Sequence, residues 1–237
     1  DLTREQEEIL KLWPDNVSNQ RLANAANNVR FQVGQSNAFL EGLERSGAYR
    51  DYTTAILRNK NLPLELALLP HVESSFNPKA YSSANAVGMW QFTRPTGQRF
   101  MRIDEIIDER LDPYVSAEAA MDLLEYNYQV LGTWPLALTA YNQGVGGMSR
   151  AVRETGTTAI EEIIANYKGS RFRFVGRNFY AQFLAVNEVE RDIDLYFEDV
   201  QFATAPKYTE VRLDAFISAQ ALAEAIGTTL EQLQTDN

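Results

Sequence analysis

The feature that most constrains the fold is a helical pattern that begins at Asp112-Pro113 and stops at Gly132. Its apolar residues recur every three or four positions, the spacing of one buried helix face. They are Ala117, Ala120, Met121, Leu124, Tyr128 and Leu131. Asp-Pro is typical of a helix start and Gly of a helix end. This segment is therefore predicted to be a long core helix.

Shorter helical patterns fill most of the remaining chain. The same spacing predicts helices within 18–43 and 52–57 and over 135–141, 148–153, 160–167 and 178–191. Strand-like alternation is found only at 208–213, so we expect any β structure to be confined to the tail. The fold class predicted from these patterns is all-α.

Composition narrows the possible partners of this chain. Its 32 acidic and 22 basic residues give a net charge of −10, which leaves no basic surface for nucleic acid. It has no cysteine and one histidine, His71, so no metal site and no cofactor are expected. No run of about 18 apolar residues occurs, and we expect any export signal or membrane anchor to lie upstream.

Glu73 is the candidate catalytic residue. It follows the apolar run 64–69, which Pro70 is expected to end or kink. A carboxyl group among apolar side chains has a raised pKa, and this suits a general acid. From hydrophobicity alone, a buried Glu satisfied by backbone donors is an equally good interpretation.

Three sequence blocks include or follow this glutamate. They are Glu73-Ser74-Ser75-Phe76-Asn77-Pro78-Lys79-Ala80, Gly88-Met89-Trp90-Gln91-Phe92 and Ala140-Tyr141-Asn142-Gln143-Gly144. They resemble the E-S-x-F-x-P-x-A, G-x-W-Q-F and A-Y-N-x-G motifs of the SLT-type, goose-lysozyme-like lytic transglycosylases. The stretch 62–70 is similar to the lead-in found in the branch of membrane-bound lytic murein transglycosylase D. The resemblance implies a lysozyme-like helical domain.

The resemblance also implies roles for individual residues. Glu73 would be the catalytic acid/base, and His71 a packing or hydrogen-bonding neighbour of the cleft. The residues implied to bind substrate are Ser82, Gly88, Met89, Gln91, Tyr141, Asn142 and Tyr180. Gly88 would leave room for substrate against the backbone, and Tyr141 would place its hydroxyl near Glu73.

The activity implied by the resemblance is cleavage of peptidoglycan between N-acetylmuramic acid and N-acetylglucosamine. The substrate's acetamido group would assist, and a 1,6-anhydro end would form. The substrate places the protein in the periplasm, with outer-membrane attachment or export as further expectations. Three alternatives stay open: a lysozyme-type hydrolase on the same fold, a catalytically silent peptidoglycan-binding module, and an unrelated helical adaptor.

We expect three segments along the chain. Residues 1–60 are predicted to be an N-terminal helical segment packing on the core, 61–191 the catalytic domain, and 192–237 a C-terminal extension. The extension resembles the first strand and two helices of a lysin motif, a small peptidoglycan-binding module. A plain helical hairpin is the alternative. If the module is real, the natural protein is expected to continue beyond Asn237.

Overall fold

The computed structural model describes residues 35–207 and 213–236 without gaps, together with 16–26 and single positions between 3 and 14. It has two compact units, residues 1–36 and 37–237. Helix α1 (Asn19–Ala26) belongs to the first unit. Residues 27–34, part of the stretch 18–43 in which helices are predicted, lie outside the described residues.

The second unit is built almost entirely of helices. Those that lead to Glu73 are α2 (Ser36–Ser46), α3 (Arg50–Lys60), a 3-10 helix (Leu64–Leu68) and α4 (Leu69–Glu73). Those that follow are α5 (Arg94–Gly97), a second 3-10 helix (Glu109–Leu111), α6 (Pro113–Leu131), α7 (Trp134–Gln143), α8 (Val145–Thr155), α9 (Ile160–Asn166), α10 (Phe174–Arg191), α11 (Ile193–Tyr196), α12 (Ala219–Ile226) and α13 (Leu230–Asp236). The all-α prediction is confirmed.

Helix α6 has the start and the stop that its sequence predicts. The Asp112 carboxylate accepts hydrogen bonds from the backbone N–H groups of Tyr114 and Val115 at 2.8 and 3.0 Å. Gly132 ends the helix in the left-handed conformation, with φ of 77°. Residues of the predicted stripe with no exposed surface are Ala117, Ala120, Met121 and Leu124. These side chains fix α6 as the centre of the core.

Pro70 begins a helix, whereas the sequence pattern predicts that it ends or kinks one. The residues before it form the 3-10 helix Leu64–Leu68, and Pro70 lies in the first turn of α4. Proline is tolerated there because the first N–H groups of a helix have no intrahelical acceptor. Glu73 is consequently the last residue of a five-residue helix.

A short β-hairpin contradicts the expectation that β structure is confined to the tail. Strands β1 (Ala86–Val87) and β2 (Phe92–Thr93) pair antiparallel, and Tyr81 forms an isolated bridge with Val87. Strands of two residues are too short to show a period-2 pattern, so periodicity could not reveal them. The turn between the strands carries Gly88 to Gln91, which belong to the second motif block.

Two groups of buried side chains form the core of the second unit. The larger lies among α3, α4, the hairpin, α6 and α10, and the smaller lies among α7, α8 and α9. Tyr180 on α10 packs against both groups. Glu73 thus lies at the edge of the larger core.

The C-terminal helices α12 and α13 pack against each other. Most of the strand predicted at 208–213 lies outside the described residues, so its pairing stays a prediction. The lysin-motif resemblance and the segment limits at 60/61 and 191/192 also stay predictions.

Candidate active site

Glu73 places one carboxyl oxygen in a dry environment. Its Oε1 has almost no exposed surface and no hydrogen-bond partner in the described structure, while the residue as a whole is only partly buried. Burial raises the pKa of Glu73 to about 8. The side chain is therefore a neutral acid at pH 7 that can give up a proton.

The segment after Glu73 is tied to the hairpin. Ser74 Oγ donates to the Met89 carbonyl at 2.7 Å and accepts from the Asn77 N–H at 3.1 Å. Arg45 on α2 donates from Nε to the Ser75 carbonyl at 2.9 Å. These bonds hold the end of α4 against β1–β2 on one side and α2 on the other.

Tyr141 is anchored to the same hairpin turn as the segment after Glu73. Its hydroxyl donates to the Trp90 carbonyl at 2.8 Å. Burial raises the pKa of Tyr141 well above its ordinary value, and the charge of Glu73 raises it further. Tyr141 and the segment that follows Glu73 are hydrogen-bonded to adjacent carbonyl groups of the hairpin turn, those of Trp90 and Met89. Blocks one and three of the sequence, about 70 residues apart, are thus brought together.

Ser82 and Gln91 use part of their polar groups to shape the hairpin loop. Gln91 Nε2 donates to the Gly88 carbonyl at 2.8 Å and to the Ala80 carbonyl at 3.3 Å. Ser82 Oγ accepts from the Ala86 N–H at 3.0 Å. The Gln91 carbonyl oxygen and the Ser82 hydroxyl proton are not used in these bonds. Contact of either group with substrate stays a prediction.

Gly88 is required by the packing of the loop. It has φ of 81°, and a Cβ at this position would lie 1.8 Å from the Arg110 carbonyl oxygen. Arg110 also donates to the Phe92 carbonyl at 3.1 Å and pairs with Asp108 at 2.6 Å. The close approach of the Arg110 backbone accounts for the glycine without any substrate. No sequence pattern points to Arg110, which is buried although it is charged.

Met89 and Trp90 belong to the core. Their side chains are 1% and 0% exposed, so a ligand cannot reach them without a rearrangement. What they present to the site is backbone carbonyl groups, which accept from Ser74 and Tyr141. We therefore leave the Met89 side chain out of the proposed substrate contacts.

Asn142 lies near the end of α7, and Tyr180 lies on α10. Asn142 is exposed and accepts from Gln143 Nε2 at 2.7 Å. Gly176 of α10 packs directly on the Gln143 side chain, which joins α10 to the end of α7. Tyr180 is half-buried, whereas Phe179 is in the core. Of these two aromatic residues, Tyr180 is thus the one whose side chain has accessible surface for contact with a ligand.

The acidic residues Asp104 and Asp108 stabilise the loop that follows the hairpin. Asp104 accepts from the N–H groups of Ile106 and Ile107, both at 2.8 Å, and from Arg102 Nε at 2.7 Å. The bond from Ile107, then that from Ile106, and the Arg102 side chain lower the pKa of Asp104 to about 2. Asp108 pairs with Arg110. These carboxylates therefore stabilise the loop through hydrogen bonds from its backbone and from arginine side chains.

His71 packs and hydrogen-bonds as expected for a neighbour of the cleft. Its Nε2 lies 2.9 Å from Glu190 Oε1. Over the described part of the chain, no cluster of metal-ligating side chains is present. The same residues include no helix long and apolar enough to cross a bilayer.

Comparisons with known proteins agree with this geometry. The family model described as "Transglycosylase SLT domain" matches residues 52–164. Membrane-bound lytic murein transglycosylase D of Escherichia coli strain K12 is 36% identical over 111 residues, which are 46% of this chain and 25% of that protein. The chain thus spans about a quarter of the length of this curated relative.

A solved structure supports the fold. The 70 kDa soluble lytic transglycosylase of Escherichia coli superposes with a TM-score of 0.51 at 19% identity, over 67% of this chain and 27% of that one. At this identity the likeness concerns the fold alone. The matched residues 52–164 contain Glu73, the hairpin and Tyr141. Residues 52–164 of this chain are therefore similar to the transglycosylase SLT domain.

Proposed function

We propose that this chain is a peptidoglycan lytic transglycosylase with Glu73 as its single catalytic acid/base. The observation that carries the proposal is the buried, unpartnered Oε1 of Glu73 in a segment tied to the same hairpin turn as Tyr141, within residues that match the SLT domain. The name of the Escherichia coli relative, a lytic murein transglycosylase, supports the same substrate. The proposed bond is that between N-acetylmuramic acid and N-acetylglucosamine.

In the first step, the neutral Glu73 carboxyl donates its proton to the oxygen that joins the two sugars. The bond from that oxygen to C1 of N-acetylmuramic acid breaks as the acetamido oxygen of the same sugar bonds to C1. The leaving N-acetylglucosamine carries the donated proton as a hydroxyl. Glu73 is then a carboxylate facing a cationic oxazolinium.

In the second step, the Glu73 carboxylate takes the proton of the C6 hydroxyl of N-acetylmuramic acid. O6 bonds to C1 while the acetamido oxygen leaves C1, and a 1,6-anhydro ring results. Glu73 is again protonated, and no water is consumed. The raised pKa suits both steps, because a group that titrates near working pH gives and takes a proton with little cost.

One carboxylate suffices in this scheme because the substrate supplies the nucleophile. In the described structure, burial raises the pKa of Glu73, and no charged neighbour contributes to this shift. Asp104 and Asp108, two of the four acidic residues at 104–109 beyond the hairpin, are occupied by loop bonds. These observations favour substrate assistance over a pair of catalytic carboxylates.

The proposed substrate contacts follow the sequence assignment, less the buried Met89 side chain. Ser82, Gln91 and Asn142 would hydrogen-bond the sugar or its acetamido group, and Tyr180 would add aromatic surface. Gly88 is also left out, because the space that its missing Cβ would fill is occupied by the Arg110 carbonyl group. The substrate also implies a site of action in the cell envelope, and we propose the periplasm.

The product ends test this proposal. Wild-type protein incubated with purified sacculi in ¹⁸O-labelled water should release muropeptides that end in 1,6-anhydro-N-acetylmuramic acid, lighter by one water than hydrolysed ends and free of label. Mass spectrometry of the soluble fraction measures both properties. Labelled reducing ends would identify a lysozyme-type hydrolase on this fold instead. Absence of any release, with retained binding to sacculi, would identify a silent binding module.

A further inference from the structure

A chain of hydrogen-bonded polar side chains, two of them buried and the third, Arg50, 37% exposed, lies behind the helix that ends at Glu73. Arg50 Nη2 donates to the two Glu190 oxygens at 2.8 and 2.9 Å. Glu190 Oε1 is 2.9 Å from His71 Nε2. The Glu190 and His71 side chains are 5% and 0% exposed. This Arg50–Glu190–His71 chain joins α3, α10 and α4.

We propose that the Arg50–Glu190–His71 chain positions Glu73 for proton transfer, an inference that rests on the proposed function. His71 lies two residues before Glu73 in α4. A helix of five residues has too few internal hydrogen bonds to hold its own geometry in water. The position of α4 is therefore set by its contacts with other elements. Within α4, His71 makes such a contact through a buried side-chain hydrogen bond.

The surroundings of His71 favour a neutral imidazole. His71 Nδ1 is buried and has no partner, which suits the acceptor nitrogen of a neutral ring with its proton on Nε2. A protonated ring would bury an unpaired N–H there. The charged groups that face the ring are Glu190, Arg50 and Arg45. Burial lowers the pKa of His71, and the bond to Glu190 opposes that shift only in part.

Glu190 is the acceptor for both partners. Burial by itself would raise the pKa of Glu190, but the hydrogen bond from His71 and the charge of Arg50 bring it below its ordinary value. Glu190 is thus an anion that receives the Arg50 guanidinium and the His71 Nε2–H. A buried carboxylate with two fixed donors has one favoured geometry, and this fixes the imidazole in turn.

Aromatic packing prevents the imidazole from turning. The ring stacks on Phe39 with a centroid separation of 4.8 Å and meets the edge of Phe76 at 4.7 Å. Beside it, a Cβ on Gly42 would come within 3.2 Å of Nδ1. The imidazole therefore has a single orientation. Its bond to Glu190 then fixes the position of α4 relative to α10.

The segment after α11 covers the chain from outside. Phe197 stacks on Phe39 at 5.7 Å, and Phe202 lies under the Arg50 guanidinium at 5.4 Å. The Ala203 N–H donates to the Glu44 carbonyl at 2.7 Å. These contacts pack residues 197–203 against α2 and against the partly exposed Arg50 side chain.

The test compares three variants by steady-state kinetics on solubilised glycan strands. His71→Phe keeps an aromatic ring and removes the donor, so kcat should fall about 10-fold or more while KM stays within about twofold. The alkaline limb of the pH profile should move to lower pH, because a displaced Glu73 is better hydrated. His71→Gln keeps a neutral donor and should recover much of kcat. Lys60→Met breaks the ion pair between Lys60 of α3 and Asp122 of α6, and it should change neither kcat nor the alkaline limb of the pH profile.

Several outcomes would overturn the inference. An unchanged kcat and pH limb in folded His71→Phe would do so, and so would equal losses in the Phe and Gln variants. If His71→Phe does not fold, Glu190→Gln takes its place, and wild-type kinetics in that variant would equally reject the proposal. A wild-type protein that releases no product would instead reject the proposed function.

Discussion

Glu73→Gln is expected to lower kcat for muropeptide release by about 100- to 10,000-fold, the range that a general acid contributes. The glutamine side chain has the same shape and no proton to donate, so KM should change little. The rate of release from sacculi, followed by chromatography of soluble products, measures the effect. Circular dichroism would verify that the variant keeps its helices.

The matched control for this variant is Glu65→Gln, eight residues earlier. Glu65 is exposed in the first 3-10 helix. We expect wild-type rates from it. A Glu73→Gln protein that retains more than about a tenth of wild-type kcat would show that another group donates the proton.

The same substitution should change how stability depends on pH. In the folded protein burial raises the pKa of Glu73 to about 8 from an ordinary value of 4.5. The folded state therefore holds a proton that the unfolded state loses between these values, so wild-type stability falls as pH rises through that window. The full effect is about 5 kcal/mol, as each pKa unit corresponds to roughly 1.4 kcal/mol.

The amide of the Glu73→Gln variant cannot titrate, so this protein should escape the loss. Measured by urea denaturation, the two proteins should be most alike near pH ~5, and the variant should be the more stable by several kcal/mol near pH ~9. Groups such as His71 and Glu190 are present in both proteins, and their contributions cancel in the difference. A pH-independent difference between the two proteins would mean that Glu73 is well hydrated.

The local features of this fold can be predicted from sequence because they depend on neighbouring residues. The start of α6 at Asp112-Pro113 and its end at Gly132 follow from capping chemistry within a few residues. The helix formed by the apolar run does end at Leu68, just before Pro70, but the pattern does not predict that Pro70 lies in the first turn of the next helix. The hairpin escapes prediction because its strands contain two residues each.

The candidate site is predictable to the extent that its residues fall within short motifs. Those motifs bring out Glu73 and Tyr141, which the fold places together. Glu190 lies 119 residues from His71 and 140 from Arg50, and no local pattern links them. The close contact between Gly88 and Arg110 is also a tertiary property. Partners of this kind become visible only when the chain is folded.

We expect the fold to keep the Glu73 carboxyl protonated at neutral pH. A ¹³C NMR titration of protein labelled at the glutamate carboxyl carbons tests it directly, with Glu73→Gln identifying the resonance. We predict a midpoint near pH 8 for Glu73. A midpoint near 4.5, the ordinary value for a glutamate, would contradict the account.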